Sequence, residues 1–392
     1  MRARTGLTIG AALIAILLAG AFWVRSRAFV EKPPGGANTS GQSVLTGDRL
    51  GADKHAYTPQ GRAGFREPKE YTFAPAGGGS NTPIDVEAAR RARAEFTLGS
   101  YLDWAQYPPH SRPARERPDR MMPVRGRRRS LPLAGSEGGT DSARVILWQS
   151  RSHVAGAENV GFAIACERDG APLPCAVSSA VATPELAGGP QPSPVVFVPD
   201  PKHIGAAYTL DFHPDVEGFH AYTGPIGVTA LVTAGAETQT ASFVFEYTSD
   251  PPATFTGRFT EAMNHGSLSI CAGLLVRETG RYLFEARVAD AEGTRFAFVT
   301  ADVNLAAGPG EACFVLFGKL VLDENAAAPF TLLDVEGFVL LEEAFPDRHT
   351  VPALPGNVYT THFYADTSFS SDEWESAAKT RMAEGLARAV GE

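Results

Sequence analysis

The sequence predicts a mainly β protein. It reads as two tandem antiparallel β-sandwiches, the first immunoglobulin-like, preceded by one transmembrane helix and a partly disordered basic linker and followed by a short C-terminal helix. Three observations carry this. From Ser142 onward, short runs alternate apolar and polar residues between Gly, Pro and Asp punctuation. The connections between those runs are too short for helical crossovers, so the strands pair antiparallel. Gly6 to Val24 is a run of 19 residues without a charge, flanked by Arg2, Arg4, Arg25 and Arg27, and a helix of that length just spans a bilayer core.

Residues 1–24 are accordingly read as a signal anchor. Phe22, Trp23 and Val24 prolong the apolar run, and Trp23 suits an interface. Ala19-Gly20-Ala21 has the small-x-small form of a cleaved signal peptide, so secretion after cleavage is the alternative. Either way the remainder is exported. The favoured location is the inner membrane, single-pass, with the bulk of the chain in the periplasm. Residues 25–81, with "KPPGGANTSGQS" and "APAGGGSNTP", read as flexible linker.

Residues 82–139 combine a short helix with aromatic and Arg-rich segments. Thr82 is the expected N-cap, with Pro83 at the first helical position and Ile84, Ala88, Ala92 and Phe96 on one face. "YLDWAQYPPHSRP" would then lay Tyr101, Trp104 and Tyr107 on a folded domain. Next comes the most basic stretch, Ser111 to Ser130, with eight arginines against two acids: Arg112, Arg115, Arg117, Arg120, Arg125, Arg127, Arg128 and Arg129. The charge is segregated: the chain holds 35 Lys and Arg and 44 Asp and Glu, which fall as a net +10 over residues 1–130 and −19 over 131–392. An exported segment meets lipid headgroups or envelope polymer before nucleic acid, and no nucleic-acid-binding signature accompanies the run. Three readings stand for it: a solvated linker, docking on the acidic β-domains of the same chain, or contact with an anionic envelope partner.

The first sandwich is placed at 140–250, from "RVILWQS", "NVGFAIACE", "AAYTLDFH", "IGVTALVTAG" and "TASFVFEYTS", with "SDPPATF" as the seam. The second is placed at 251–369. There Tyr282, Phe284, Ala286 and Val288 alternate with Leu283, Glu285 and Arg287, Asp290 to Gly293 turn, and Phe296 and Phe298 begin the return. "EACFVLFGKLVLDE" and "APFTLLDVEGFVLLEE" each read as a further strand pair. Residues 370–392 close the chain as a helix, with Ser370 and Glu373 in capping-box spacing.

Four cysteines fit an oxidising compartment. Cys166 and Cys175 bracket an Asp-Gly turn and would face each other across a hairpin; Cys271 and Cys313 would pair within the second sandwich. Their spacings fit no zinc pattern.

Catalytic motifs are absent: there is no Gly-x-Ser-x-Gly elbow, phosphate loop or His-Glu-x-x-His helix. No catalytic residue and no cofactor is assigned. The candidates weighed are a divalent metal held by His213, Asp215, Glu217 and His220; a nucleophile pair of His265 and Ser267; and calcium at Asp323, Glu324, Asp334 and Glu336. Loop acids without a metal are the simpler account of the first and last. The reading reached is an interaction or structural module with envelope proteins or anionic polymer as partners. The rival is an exported carbohydrate-binding protein or hydrolase on a sandwich scaffold.

Two stretches resemble known proteins. "YLDWAQYPPHSRP" resembles a segment downstream of the N-terminal helix in envelope proteins of myxobacteria and their relatives. The run from Gly280 to Phe338 is similar to the choice-of-anchor X type of β-sandwich domain, at Gly280, Tyr282, Phe284, Ala286, Val288, Asp290, Ala291 and Gly293, then Pro329, Phe330, Leu332, Asp334 and Val335. The resemblance covers about 150 residues of strand and turn positions. It implies a sandwich fold and a surface or periplasmic location, and it implies no catalytic residues. Cys271 and Cys313 depart from its pattern.

Overall fold

The computed structural model describes residues 85–121, 128–133, 143–202 and 207–391. The chain divides into two units, residues 1–81 and 82–392, and every described residue lies in the second. The anchor at 1–24, the linker at 25–81, Thr82, Pro83, Ile84, Arg125 and Arg127 therefore lie outside the described residues. Among the described residues no helix is long and apolar enough to cross a membrane.

The chain enters through helix α1 (Val86–Ala105) and strand β1 (Ser111–Pro113). Strands β2 (Arg129–Pro132), β3 (Ala143–Gln149), β4 (His153–Ala155), β5 (Val160–Arg168), β6 (Ala171–Pro172) and β7 (Ala176–Pro184) follow. After them come β8 (Ser193–Val195), β9 (Val198–Pro199), β10 (Ala207–Phe212), β11 (Gly224–Ala234) and β12 (Glu237–Thr248). The remainder comprises β13 (Ala253–Asn264), β14 (Ser267–Val276), β15 (Gly280–Ala289), β16 (Arg295–Leu305) and β17 (Gly308–Leu316). Helix α2 (Gly318–Asp323), β18 (Thr331–Leu340), β19 (Arg348–Thr360) and helix α3 (Ala377–Gly391) complete it.

The fold is mainly β and largely antiparallel, as expected; β4 is an exception, pairing parallel with β12. In the first sandwich, sheet β2-β3-β5-β10-β9 faces sheet β4-β12-β11-β7-β8. Val145, Leu147, Phe162 and Phe212 from one sheet meet Ile226, Val228, Phe243 and Phe245 from the other. The Phe162 and Phe243 rings lie 4.8 Å apart. In the second sandwich, β1-β16-β15-β18-β19 faces β13-β14-β17. The alternation of Tyr282, Phe284, Ala286 and Val288 puts all four in its core. Side chains the size of Phe284 and Val288 each contribute about 1.5 to 3 kcal/mol of burial.

Chain order and sandwich order differ. β1 precedes the first sandwich yet pairs with β16 of the second, Arg112 opposite Phe298. The first sandwich is thus inserted in sequence between two strands of the second. Its own strands begin at Arg129, upstream of the expected start at 140, because β2 adds to β3. The seam is short: β12 ends at Thr248 and β13 begins at Ala253. It is bonded across by Thr350 N–H to Thr248 Oγ1 (3.0 Å) and Ala353 N–H to Glu158 Oε1 (3.1 Å).

Several elements depart from expectation. "GKLVLD" is helix α2, not a strand. Its Val321 and Glu324 N–H groups return to the Phe317 (3.2 Å) and Leu320 (3.0 Å) carbonyls, and the turn buries Leu320 and Val321 together. Asn325, at φ 50°, follows the C-cap Glu324 and ends it. Pro352 and Pro355 mask the strand pattern of β19, an edge strand with several register shifts, where proline is tolerated. β7 carries no strand signal in its sequence, because Ala, Ser and Thr dominate it.

Both helices begin later than expected. Asp85 caps α1, accepting from the Glu87 and Ala88 N–H groups (both 3.1 Å). Ser376 Oγ accepts from Lys379 N–H (3.0 Å) at the start of α3, whereas Ser370 bonds Asp372 instead. The expected apolar face of α1 is also displaced. Ala88, Ala92 and Phe96 are exposed, and the shielded stripe is Ala94, Leu98, Tyr101 and Ala105, against α3.

Candidate functional site

The arginine run is where the structure says most. Arg112, expected with the other arginines of the run to meet an anionic partner, is 1% exposed and unavailable to one. Its guanidinium donates to the Trp104 and Tyr107 carbonyls (2.9 Å each) and to Glu116 Oε2 (2.9 Å from Nε), and it lies 4.4 Å from the Trp104 ring centroid. A planar five-donor group fills this role in a way an ammonium does not. Around it, Tyr107 is buried in the second core and donates to Asp323 (2.7 Å). Burial, reinforced by Asp323, holds the Tyr107 phenol protonated well above its ordinary range. Ser111 Oγ accepts from Phe317 N–H (3.1 Å). Residues 106–121 thus form a strap across the second sandwich.

The neighbouring arginines also meet their own chain. Arg115 pairs with Glu324, Arg120 with Glu285 (3.0 Å) and Arg128 with Glu167 (3.7 Å), while Arg129 donates to the Ser242 carbonyl. Arg117 is exposed. Exposed pairs of this kind are each worth under about 1 kcal/mol, so Arg115, Arg120 and Arg128 are held loosely and Arg112 firmly.

The metal candidates do not assemble. His213 Nε2 lies 3.4 Å from Asp211, and Glu217 accepts from the His213 backbone N–H (3.2 Å). Among the described residues, the one group of three or more such side chains with ligand atoms within 4.8 Å of one another is Cys271, Glu311 and Cys313. His213, Asp215, Glu217 and His220 are therefore not brought onto a common centre. The reason is local: Asp215–Phe219 forms a single wide π-type turn, with Gly218 at φ 100°, that buries Phe219. The four acids weighed for calcium are scattered onto separate cations: Asp323 on Lys319, Glu324 on Arg115, Asp334 on Arg295 (3.1 Å) and Glu336 on Arg287 (3.3 Å). Ser267 Oγ accepts from Gly318 N–H (3.1 Å) in a buried turn, which is an architectural role.

Both disulfides form as paired above. Cys166 and Cys175 close the hairpin whose turn residues Asp169 and Gly170 have φ of 53° and 79°. Cys271 and Cys313 stand directly opposite on β14 and β17.

A cleft of about 780 Å³ opens among the loops at one end of the second sandwich, lined by Arg281, Asn304, Leu305, Leu341, Glu342 and Asp347 among others. Its lining contains no histidine or cysteine, and Arg281 and Asp347 are tied to Asp302 (2.6 Å) and Arg348 (2.7 Å). A hydrolase needs nucleophile and base in one concavity. The cleft's lining carries the carboxylates Glu342 and Asp347 and the hydroxyl of Thr279, with Asp347 held by Arg348.

One cluster escaped sequence reasoning because its members lie about a hundred positions apart. Glu261 Oε1 accepts from the His362 N–H (2.9 Å) and from Tyr364 (3.0 Å), with the His362 ring alongside. Burial raises the carboxyl, but the bonds from His362, Tyr364 and Tyr359 outweigh it and leave it below the usual carboxylate range. A depressed carboxyl stabilises the fold above the unfolded value of about 4.3 and loses that contribution as pH falls through its folded value. Glu261→Gln is therefore expected to lower the thermal midpoint at pH 7 and to lose most of that deficit at pH 3. Thermal unfolding at both values checks it; equal deficits would contradict the assignment.

No family model and no curated protein matches the chain. Among solved structures it is similar to a DUF4785 family protein from Legionella pneumophila at 11% identity and TM-score 0.38, spanning 59% of this chain and 59% of that one. It is also similar to the FN1–FN3 domains of chicken CNTN1 at 10% identity and TM-score 0.23, over 54% of this chain and 72% of that one.

Proposed function

We propose that the chain is a membrane-anchored envelope protein whose sandwiches form a protein-binding or structural module in the periplasm, held by residues 6–24 in the inner membrane. The observation that supports this most is the chain path. The segment that follows the linker is built into the second sandwich through β1 and Arg112, and the first sandwich is inserted beyond it. That path ties the segment from α1 to β1 to the second sandwich and makes the first sandwich an insertion able to carry a binding surface. Two disulfides suit an oxidising space. The first sandwich is of immunoglobulin-like type in this reading, and the second belongs with the choice-of-anchor X type domains. Partners are envelope proteins or anionic polymer or lipid, the latter met by Arg117 and other exposed arginines of the run rather than by Arg112; nucleic acid is not among them.

Fractionation of cells carrying the full chain tests this. Membrane association that resists alkaline carbonate and disappears on deletion of residues 6–24 supports it. Recovery from the cytosol with four reduced thiols overturns it, as does turnover of a chromogenic ester or glycan that is abolished by alanine at His213 or His265.

A carbohydrate-binding role is the second reading, favoured by Trp148. Its ring approaches Gly161 on the outer face of the first sandwich, where a Cβ would meet the indole at 3.5 Å, and it is 38% exposed. An indole lying over the sheet offers a face to a sugar ring. Retention on envelope polysaccharide that Trp148→Ala abolishes would favour this reading over the first.

A further inference from the structure

Cys271, Cys313 and Glu311 form a group apart from the strap. Cys271 lies opposite Cys313 in the register of β14 and β17, and Glu311 is two residues before Cys313 on the same face. That face is the outer one: Ile270, Ala272, Ala312 and Phe314, the intervening residues, are at most 1% exposed in the core. Cys313 and Glu311 are exposed and Cys271 is half-buried, whereas in the other pair Cys166 is 2% exposed and Cys175 half-buried, so Cys313 is the one exposed sulfur of the four. Opposite Glu311 stands Gly273, which offers no side chain to engage it. Among the described residues Glu311 has no hydrogen bond or ion pair.

We propose that this disulfide is a reducible clasp over a binding site for a soft divalent cation of the zinc class, with Cys271, Cys313 and Glu311 as ligands. Exposure selects it for attack, since a thiol must reach a sulfur along its bond axis. Two equivalents of a small thiol supply two electrons and two protons. The Sγ–Sγ bond breaks, each cysteine sulfur takes a proton, and the reductant leaves as its own disulfide. The cation then displaces those two protons.

The backbone needs no rebuilding, because register pairs on both sides of Cys271 and Cys313 hold β14 against β17. The three ligand atoms already lie within 4.8 Å of one another. A tetrahedral zinc with Zn–S of about 2.3 Å places its sulfurs about 3.8 Å apart, wider than the bonded pair and close to the 3.9 Å between the two Cα atoms. Two thiolates exclude magnesium and calcium on softness, and a water completes the four positions. The site is independent of the module role, since zinc binding by the isolated chain requires no partner.

The test uses the full chain, oxidised or reduced with a phosphine that is then removed under anaerobic conditions. Zinc is titrated against a chromophoric chelator. The expected result is about one tight equivalent in the reduced chain and none in the oxidised one. Glu311→Gln is expected to weaken binding at least about tenfold, and the C271S/C313S variant to abolish it. Timed alkylation with mass mapping is expected to label Cys271 and Cys313 before Cys166 and Cys175. Zinc binding that survives C271S/C313S, that ignores Glu311→Gln, or that fails in the reduced chain overturns the proposal, as does earlier opening of Cys166–Cys175.

Discussion

Arg112→Met lowers stability by about 3 kcal/mol and releases the strap from the second sandwich. The methionine keeps much of the volume and removes every polar contact. The Trp104 and Tyr107 carbonyls lose their donor, Glu116 loses its ion pair, and the Trp104 ring loses the cation stacked on it. These losses fall on one short segment. β1 pairs over only three residues, Ser111 to Pro113, so that pairing depends on the side chain that fixes its entry and exit. Limited proteolysis is expected to cut the variant between residues 106 and 121, where the parent resists, and urea unfolding reports the energy. Arg117→Met, at an exposed position of the same run, is expected to change neither. Arg112→Lys separates charge from shape: a lysine that restored full stability would show that the planar fork is irrelevant, against the geometry described here.

The contrast between Arg112 and Arg117 marks the limit of what the sequence discloses. Eight arginines in one run read as a single solvated or anion-binding tract, because residue type alone cannot say which of them meets carbonyls. A local signal was present: Trp104 and Tyr107 precede Arg112, Glu116 follows it at i+4, and Pro113 favours extended backbone. The alternating strands were legible because one face of each must be apolar. Tyr282 through Val288 follow that rule, and Cys166 and Cys175 were legible because Asp169-Gly170 supplies the turn between them. The α2 helix and β19 were not, because tertiary contacts override their local pattern. Gly318 sits so near Gly266 and Ser370 that a Cβ would collide with their backbone, a constraint spread over positions a hundred residues apart. Glu261 with His362 and Tyr364 is hidden for the same reason. The sandwich order, with β1 crossing to β16, is a long-range pairing that no three-residue strand announces.

Arg287→Met should cost about as much as Arg112→Met, and its cost should grow with pH. Arg287 is fully buried on the outer face of its sheet, beneath the strap. Its guanidinium donates to the carbonyls of Arg120 (2.7 Å) and Asp334 (2.9 Å) and to Glu285 (3.2 Å) and Glu336 (3.3 Å). Removing one partner of a buried pair leaves the others uncompensated, at about 3 kcal/mol. Burial already raises the Glu336 carboxyl above its ordinary range, with Arg287 opposing and Glu285 adding to the rise. Without Arg287 it rises further. The folded variant then holds a proton that the unfolded chain has lost, so its stability falls as pH climbs from about 4.3 through the raised folded value. Urea unfolding at pH 5 and pH 8 is expected to show the larger deficit at pH 8. Adding Glu336→Gln to Arg287→Met should remove that difference while leaving the pH-independent loss from the two orphaned carbonyls. A deficit equal at both pH values in the single variant would mean that Glu336 is solvated well enough to need no cation, and that Arg287 serves only to bind the strap's backbone.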